Sequence, residues 1–255
     1  MLKFSPANAK TKALYSVGNL SGYLGRHRKV YSLDLSAGWS CPGAKDCLSK
    51  VVEVDGRFII QDGPKCQFRC FSASGEVRSP AARRARRFNF ELLKGMRSWQ
   101  RCRDLLAMSL PTDCGVLRYH VSGDFFKLAY LRGALALAKS RPDVLFYGYT
   151  KSLHLIPKLG GKMARPWMGE ATPNFLLTAS QGGKYDHLIK PLQMRKAKVV
   201  FSDAEAGNLP IDHDDSHAAT SGGSFALLIH GTQPAKSDAS KALVALKGKG
   251  SYARK

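Results

Sequence analysis

The sequence predicts an α/β fold, a partial (βα)6 parallel barrel with a cysteine-rich loop near its N-terminus. Three observations predict it. Apolar runs of strand length alternate with segments of helical periodicity along most of the chain. Those runs are rich in Val, Leu, Phe and Tyr, as strands covered on both faces are. Six such runs are present, too few for a full eight-fold barrel.

Residues 1–28 are polar with scattered Gly and Asn, and read as a basic irregular arm. Residues 30–35 alternate with period two and form the first strand. Ser36-Ala37-Gly38-Trp39 breaks it and opens a cysteine loop over 36–75. Inside that loop, 51–54 and 58–61 flank Asp55-Gly56, a hairpin signal. Residues 80–108 are helical in pattern: Pro80 suits a first turn, and Phe88, Leu92, Leu93, Met96 and Trp99 make an apolar stripe. Gly95 marks a kink or a close approach. Strands follow at 116–121, 144–149, 174–179, 198–202 and 225–230, with helices at 127–139, 153–159 and 185–195. One domain therefore spans 29–237, and 238–255 reads as a basic flexible tail.

At 255 residues the chain is long enough for one large α/β domain or two small ones. Its formal charge of +21 comes from 40 Lys and Arg against 19 Asp and Glu, a field that attracts polyanions such as nucleic acid. Residues 1–33 contain Arg26, Arg28 and Lys29 and no acid, and Arg83, Arg84, Arg86 and Arg87 form a second basic block. Lys247, Lys249, Arg254 and Lys255 add a third beside glycines. No apolar run approaches the roughly 18 residues of a membrane span, and the first residues lack a signal peptide's core. The expected location is the cytoplasm, where clustered thiols favour metal over disulfide.

Cys41, Cys47, Cys66 and Cys70 read C-P-G-A-K-D-C and then K-C-Q-F-R-C. These spacings are looser than a zinc knuckle's C-x2-C. An iron–sulfur cluster tolerates irregular spacing, and three thiolates on a four-iron cluster leave one iron open. Iron–sulfur, structural zinc and unliganded or disulfide-bonded thiols are the three readings. Cys102 and Cys114 are simpler as core thiols.

Ligands in parallel α/β folds bind at the C-terminal ends of strands. There the chain places His120, Ser122, Gly123 and Asp124; Tyr147, Tyr149, Thr150 and Lys151; Ser180 and Gln181; Ser202, Asp203 and Glu205; and His230. Five strands ending in polar groups point to one shared pocket. The segment Asp212-His213-Asp214-Asp215-Ser216-His217 is dense enough to bind a divalent metal or to do acid–base work, or else is a solvated acidic loop.

The motifs C-P-G-A-K-D-C, R-C-F-S-A-S, H-V-S-G-D-F-F, F-Y-G-Y-T-K-S, L-T-A-S-Q-G-G-K-Y-D, I-D-H-D-D-S-H and L-L-I-H-G-T-Q-P resemble the uncharacterised phage protein family called gene product eighty-eight, over most of residues 10–237. That resemblance implies a phage origin, hence the host cytoplasm, and carries no activity with it. The order of strand, cysteine loop, helix and five further strands is also similar, more distantly, to radical S-adenosylmethionine enzymes. Those use a partial six-stranded barrel, a four-iron cluster on three cysteines after the first strand, and a glycine-rich turn after the second strand that contacts the cofactor. Their compact C-x3-C-x2-C motif is replaced here by cysteines spread over residues 41–70.

The second resemblance implies Cys41, Cys47 and Cys70 as ligands of a 4Fe-4S cluster, with Cys66 spare. It implies Ser122, Gly123, Asp124 and Gln181 beside S-adenosylmethionine, and Lys151, Asp203, His213 and His230 on the substrate side. The basic groups Arg26, Arg28, Lys29, Arg83, Arg84, Arg86 and Arg87 would then hold the phosphates of a nucleic acid or nucleotide. Two other functions fit the residues: a nucleic-acid-binding protein stapled by four-cysteine zinc, and a metal-dependent nuclease or hydrolase built on 212–217.

Overall fold

The structure is a computed structural model that describes residues 1–160, 172–220 and 222–246. Its centre is a seven-stranded sheet in the order β1-β2-β5-β6-β7-β8-β9. The strands are β1 (Phe4–Pro6), β2 (Lys29–Leu33), β5 (Cys114–Tyr119), β6 (Leu145–Thr150), β7 (Phe175–Ser180), β8 (Lys196–Val200) and β9 (Phe225–Leu228). β1 runs antiparallel to β2, and the six from β2 to β9 pair parallel in chain order. β3 (Ser49–Val54) and β4 (Arg57–Asp62) form the separate hairpin expected in the cysteine loop. Every strand read from the sequence is present within a few residues.

The helices depart further from expectation. They are α1 (Ser21–Leu24), α2 (Phe71–Arg78), α3 (Pro80–Gly95), α4 (Trp99–Ser109), α5 (Leu128–Ser140), α6 (Asp203–Ala206), α7 (Ser216–Ala219) and α8 (Asp238–Ala245). The single helical pattern of 80–108 divides, because Ser98 caps a fresh helix by accepting from the Arg101 amide at 3.3 Å. Ser79 does the same for α3, taking the Ala82 amide at 3.2 Å with Pro80 in the first turn. The helix expected at 185–195 is absent. Pro191 cannot continue one, and the chain keeps only a 3-10 turn over Asp186–Leu188. Pro157 likewise reduces 153–159 to two 3-10 turns.

Residues 1–28 were expected to be an irregular arm and are instead folded against the sheet. Phe4, Ser5 and Pro6 pair with β2, and Leu14, Leu20 and Leu24 are buried. Asn89 of α3 stitches the start down, accepting from the Lys3 amide at 2.8 Å and donating to the Lys3 carbonyl at 2.7 Å. Of the expected tail, 238–245 forms α8, and 247–255 lies outside the described residues.

The sheet has a different cover on each face. Leu33, Leu117, Tyr119, Phe146, Phe175 and Leu177 pack with Phe90 and Leu93 of α3, Cys102 and Leu106 of α4, and Tyr130 to Ala138 of α5. The alternate residues Val30, Val116, Leu145, Tyr147, Ala197 and Phe225 meet Leu14, Leu20 and Leu24 of the N-terminal segment and Ala218 and Ala219 of α7. This period-two division is why nearly every strand position is buried. No helix among the described residues is long and apolar enough to cross a membrane.

Candidate active site

A cavity of about 200 Å³ opens at the C-terminal ends of the parallel strands. Its wall includes His120, Gly123 and Asp124 after β5, Thr150 and Lys151 at the end of β6, Ser180 of β7 and His230 after β9. Three cysteines complete it: Cys41 and Cys47 from the loop after β2, and Cys70 with Phe71 and Ser72 at the start of α2. The four-cysteine set therefore divides. Cys66 does not line the cavity; its thiol donates to the Phe68 carbonyl at 3.0 Å and lies 3.7 Å from the Ser49 hydroxyl.

The cysteine loop is held on the strand ends by backbone contacts that admit no side chain. A Cβ on Gly43 would stand 2.2 Å from the Lys151 carbonyl oxygen. The Gly43 carbonyl accepts the Lys184 amide at 2.9 Å, and the Asp46 amide donates to the Gly182 carbonyl at 3.0 Å. The S-Q-G-G-K turn after β7 is thus a docking surface for this loop. Its Gly182 and Gly183 amides already hold an anion, the Asp186 carboxylate, at 2.7 and 2.9 Å. Gly43→Ala is expected to cost about 1–3 kcal/mol through overpacking, read as a lowered urea midpoint at unchanged slope.

Burial pushes all three cavity thiols up: Cys41 well above its ordinary value, Cys47 to about 12, and Cys70. Each of the three is raised further by a carboxylate or by a neighbouring thiol. Two features favour the thiolate instead. The Lys151 charge lowers Cys47, and the amides of Ser72 and Ala73 at the start of α2 lower Cys70. These are the side chains that can hold a metal group here. Zinc at Zn–S of about 2.3 Å needs thiolates roughly 3.8 Å apart, and among the described residues no three metal-ligating side chains are grouped to hold an ion.

Asp124 is buried and accepts from Thr150 Oγ1 at 2.6 Å and the Phe125 amide at 2.7 Å on one oxygen. Its other oxygen takes the Lys151 amide at 2.8 Å and Ser152 Oγ at 3.3 Å. Burial still raises its pKa to about 6 against those donors. Asp124 therefore ties the end of β5 to the end of β6. Lys151 ties β6 to β7, its ammonium donating to the Ser180 carbonyl and hydroxyl at 2.9 Å each and the Gln181 carbonyl at 2.6 Å. Gly123 lines the cavity with φ +94°, and a Cβ there would meet Ser40 Oγ at 2.5 Å.

Other expected site residues lie elsewhere. Ser122 is turned from the cavity toward Glu76, to which its hydroxyl donates at 3.2 Å. Gln181 does not line the cavity either, and its Oε1 is buried without a partner. Asp203 is exposed in the first turn of α6, where an acid complements the helix dipole. His213 is exposed in the loop between β8 and β9, because its neighbours Asp212 and Asp215 turn inward. Arg28 and Lys29 sit at the opposite, N-terminal end of the strands and are committed to ion pairs with Asp143 and Asp113, while Arg26 is exposed nearby.

Two participants, Lys10 and Arg118, were not legible as site residues. Lys10 and Arg118 line the cavity and both pair with Asp215, Lys10 at 3.0 Å. Tyr147 donates to Asp215 at 3.1 Å. Burial opposes the Asp215 charge, but Arg118 and Lys10 outweigh it and hold the carboxyl below its ordinary value. Arg118 did carry a signal, being a charge inside an otherwise apolar strand. Asp212 accepts the Asp214 and Ala218 amides at 3.3 Å each, so segment 212–217 folds as the root of α7.

His120 is buried with φ +67°, shares a 2.9 Å hydrogen bond with the Tyr130 hydroxyl through Nε2, and leaves Nδ1 without a partner. Burial, and then Arg118, lower its pKa to about 3. Burial, Lys10 and Arg118 lower His230 to about 4. Unfolded histidines titrate near about 6.5, so below that pH the unfolded chain binds protons that the folded one refuses. Stability is expected to fall as pH drops from about 6.5 toward 4, by on the order of a few kcal/mol. Asp124 acts the other way between about 4 and 6, since its folded form takes the proton first, and offsets part of the loss. Urea midpoints at pH 7 and pH 5 check the sign, and His120→Phe should shrink the difference.

No curated protein and no solved structure matches the chain. A family model described as gene product 88 matches residues 2–246, which takes in the whole sheet, the cysteine loop and the cavity. The chain belongs to the gene product 88 family.

Proposed function

We propose that this protein is an iron–sulfur enzyme resembling radical S-adenosylmethionine enzymes, with Cys41, Cys47 and Cys70 as the ligands of a four-iron cluster and a nucleic acid or nucleotide as substrate. One observation carries the reading: three thiols from two separate segments face one cavity at the strand ends, and the fourth does not. Three ligands leave a site open for chemistry, whereas a zinc staple would need Cys66 as well.

A curled sheet, the partial (βα)6 barrel, goes with this reading. Across a flat sheet β5 and β9 would lie about 19 Å apart, four strand spacings. Yet His120 and Arg118 of the β5 region share a cavity of about 200 Å³ with Leu227 and His230 of the β9 region. The rings of Tyr149 on β6 and Phe225 on β9 are 6.1 Å apart, which favours curvature too.

When bound, the cluster and S-adenosylmethionine supply one-electron chemistry. The residues of this chain supply its setting. Lys151 and the first amides of α2 favour the thiolate form that a metal ligand needs. Gly123 lets the turn after β5 approach the cavity, and Asp124 fixes that turn to β6. Lys10 and Arg118 line the cavity and share the single carboxylate of Asp215, so one positive charge is in excess there and favours an anionic group such as a carboxylate or phosphate. His120 Nδ1 is a buried polar atom that a ligand can satisfy. Release of methionine from S-adenosylmethionine by the reduced protein under nitrogen tests the reading. Iron-loaded protein that releases none, with DNA or RNA present or absent, would sink the cofactor assignment.

A further inference from the structure

We propose that a second groove, walled by Trp39, Phe58 and Phe88 and by Arg83, Arg84 and Arg87, binds a single-stranded nucleic acid with its bases on the rings and its phosphates on the guanidinium groups. The inference takes up the nucleic-acid part of the function proposed above. Its test needs no cluster, so its failure and that of the cluster are separable.

The groove measures about 570 Å³ and lies between α3, the β3–β4 hairpin and the start of the cysteine loop. Its three rings are 45%, 40% and 41% exposed, a grouping of large apolar side chains that marks an interaction surface. Each ring carries a cation. Lys50 Nζ is 4.4 Å from the Trp39 ring, the Arg83 guanidinium 3.6 Å from Phe58, and Lys3 Nζ 5.0 Å from Phe88. Alternating rings and cations are what a single strand needs, because stacking reads any base face while the cations track the backbone. A duplex offers the phosphates but hides the faces. An acidic peptide offers charge but no faces.

The charge balance agrees. Arg84 makes no ion pair among the described residues, and Arg87 only an exposed pair with Glu91, of a kind worth little. Of the two carboxylates in the wall, Glu76 is buried and occupied by the Ala37 amide, Ser122 and Arg86. Glu53 is the exposed one.

The platform is also pre-set. Trp39 Nε1 donates to the Val51 carbonyl at 3.0 Å, fixing the ring against the hairpin. Gly38, at φ +71°, brings that turn so close that a Cβ would stand 2.5 Å from the Ser49 carbonyl oxygen. Trp39 is two residues along the chain from Cys41, which lines the cavity at the strand ends.

Fluorescence anisotropy with the full chain tests this, using labelled oligo-dT and oligo-U of about twenty nucleotides, a duplex of that length and polyglutamate. The single strands are expected to bind at least about ten-fold tighter than duplex or polyglutamate, the tighter of the two naming the sugar. Trp39→Ala should weaken single-strand binding about ten-fold, and Trp39→Phe should retain most of it. Arg84→Ala should reduce the salt slope by about one. Phe58→Leu, on the exposed hairpin, serves if Trp39→Ala does not fold, and should weaken binding several-fold. Equal affinity for duplex or polyglutamate would overturn the proposal. So would unchanged affinity in folded Trp39→Ala or Phe58→Leu protein.

Discussion

Replacing Cys47 with Ser is expected to abolish iron binding, and Cys41→Ser and Cys70→Ser to do the same, while Cys66→Ser keeps the iron of the parent protein. The contrast is all-or-none, because loss of one of three thiolates removes a cluster rather than weakening it. It follows from position. Cys41, Cys47 and Cys70 line the cavity, and Cys66 is held by Phe68 and Ser49 outside it. The change is mild for the apoprotein, since a buried thiol and a hydroxyl differ little in volume, so the fold should persist in all four variants. Iron content and the visible absorption of protein reconstituted without air read the result. Loss of iron in Cys66→Ser as well would point to four ligands and to a structural site.

Asp215→Ala is expected to destabilise the fold by about 3–5 kcal/mol, because it leaves Lys10 and Arg118 buried with their shared carboxylate gone. For a chain of this size that corresponds to a fall in Tm of about 6–20 °C. The double variant Lys10→Met/Asp215→Ala should lose less than the sum of its single variants, since the two residues touch. The contribution also has a pH window. Asp215 has its folded pKa below the unfolded value, so its stabilisation is present above about pH 3.9 and is lost as pH falls through the folded value. A Tm unchanged in Asp215→Ala would mean that the cations are satisfied by other groups.

The strand positions were legible because each of the parallel strands is a compact apolar run with a polar end, and that pattern survives without tertiary information. Cys41, Cys47 and Cys70 line the cavity and Cys66 does not, and the hydrogen bond that occupies the Cys66 thiol has no signature in the cysteine spacing. The ion network was hidden by distance along the chain. Lys10 and Asp215 lie 205 positions apart, so Lys10 looked like part of a solvated basic arm. Asp203 and His213 misled for a related reason. A polar residue after a strand caps a helix as readily as it faces a pocket; here Ser202 caps α6 and Asp203 sits in its first turn. The turn that holds Ser180 and Gln181 receives the cysteine loop through its glycines, a contact between distant segments that polar strand ends do not reveal.

The central claim is that the three cavity cysteines hold an iron–sulfur cluster. Iron and acid-labile sulfide content of protein purified without air tests it most directly. About four iron and four sulfide per chain is the result the proposal predicts. Colourless protein with stoichiometric zinc and no sulfide would contradict it.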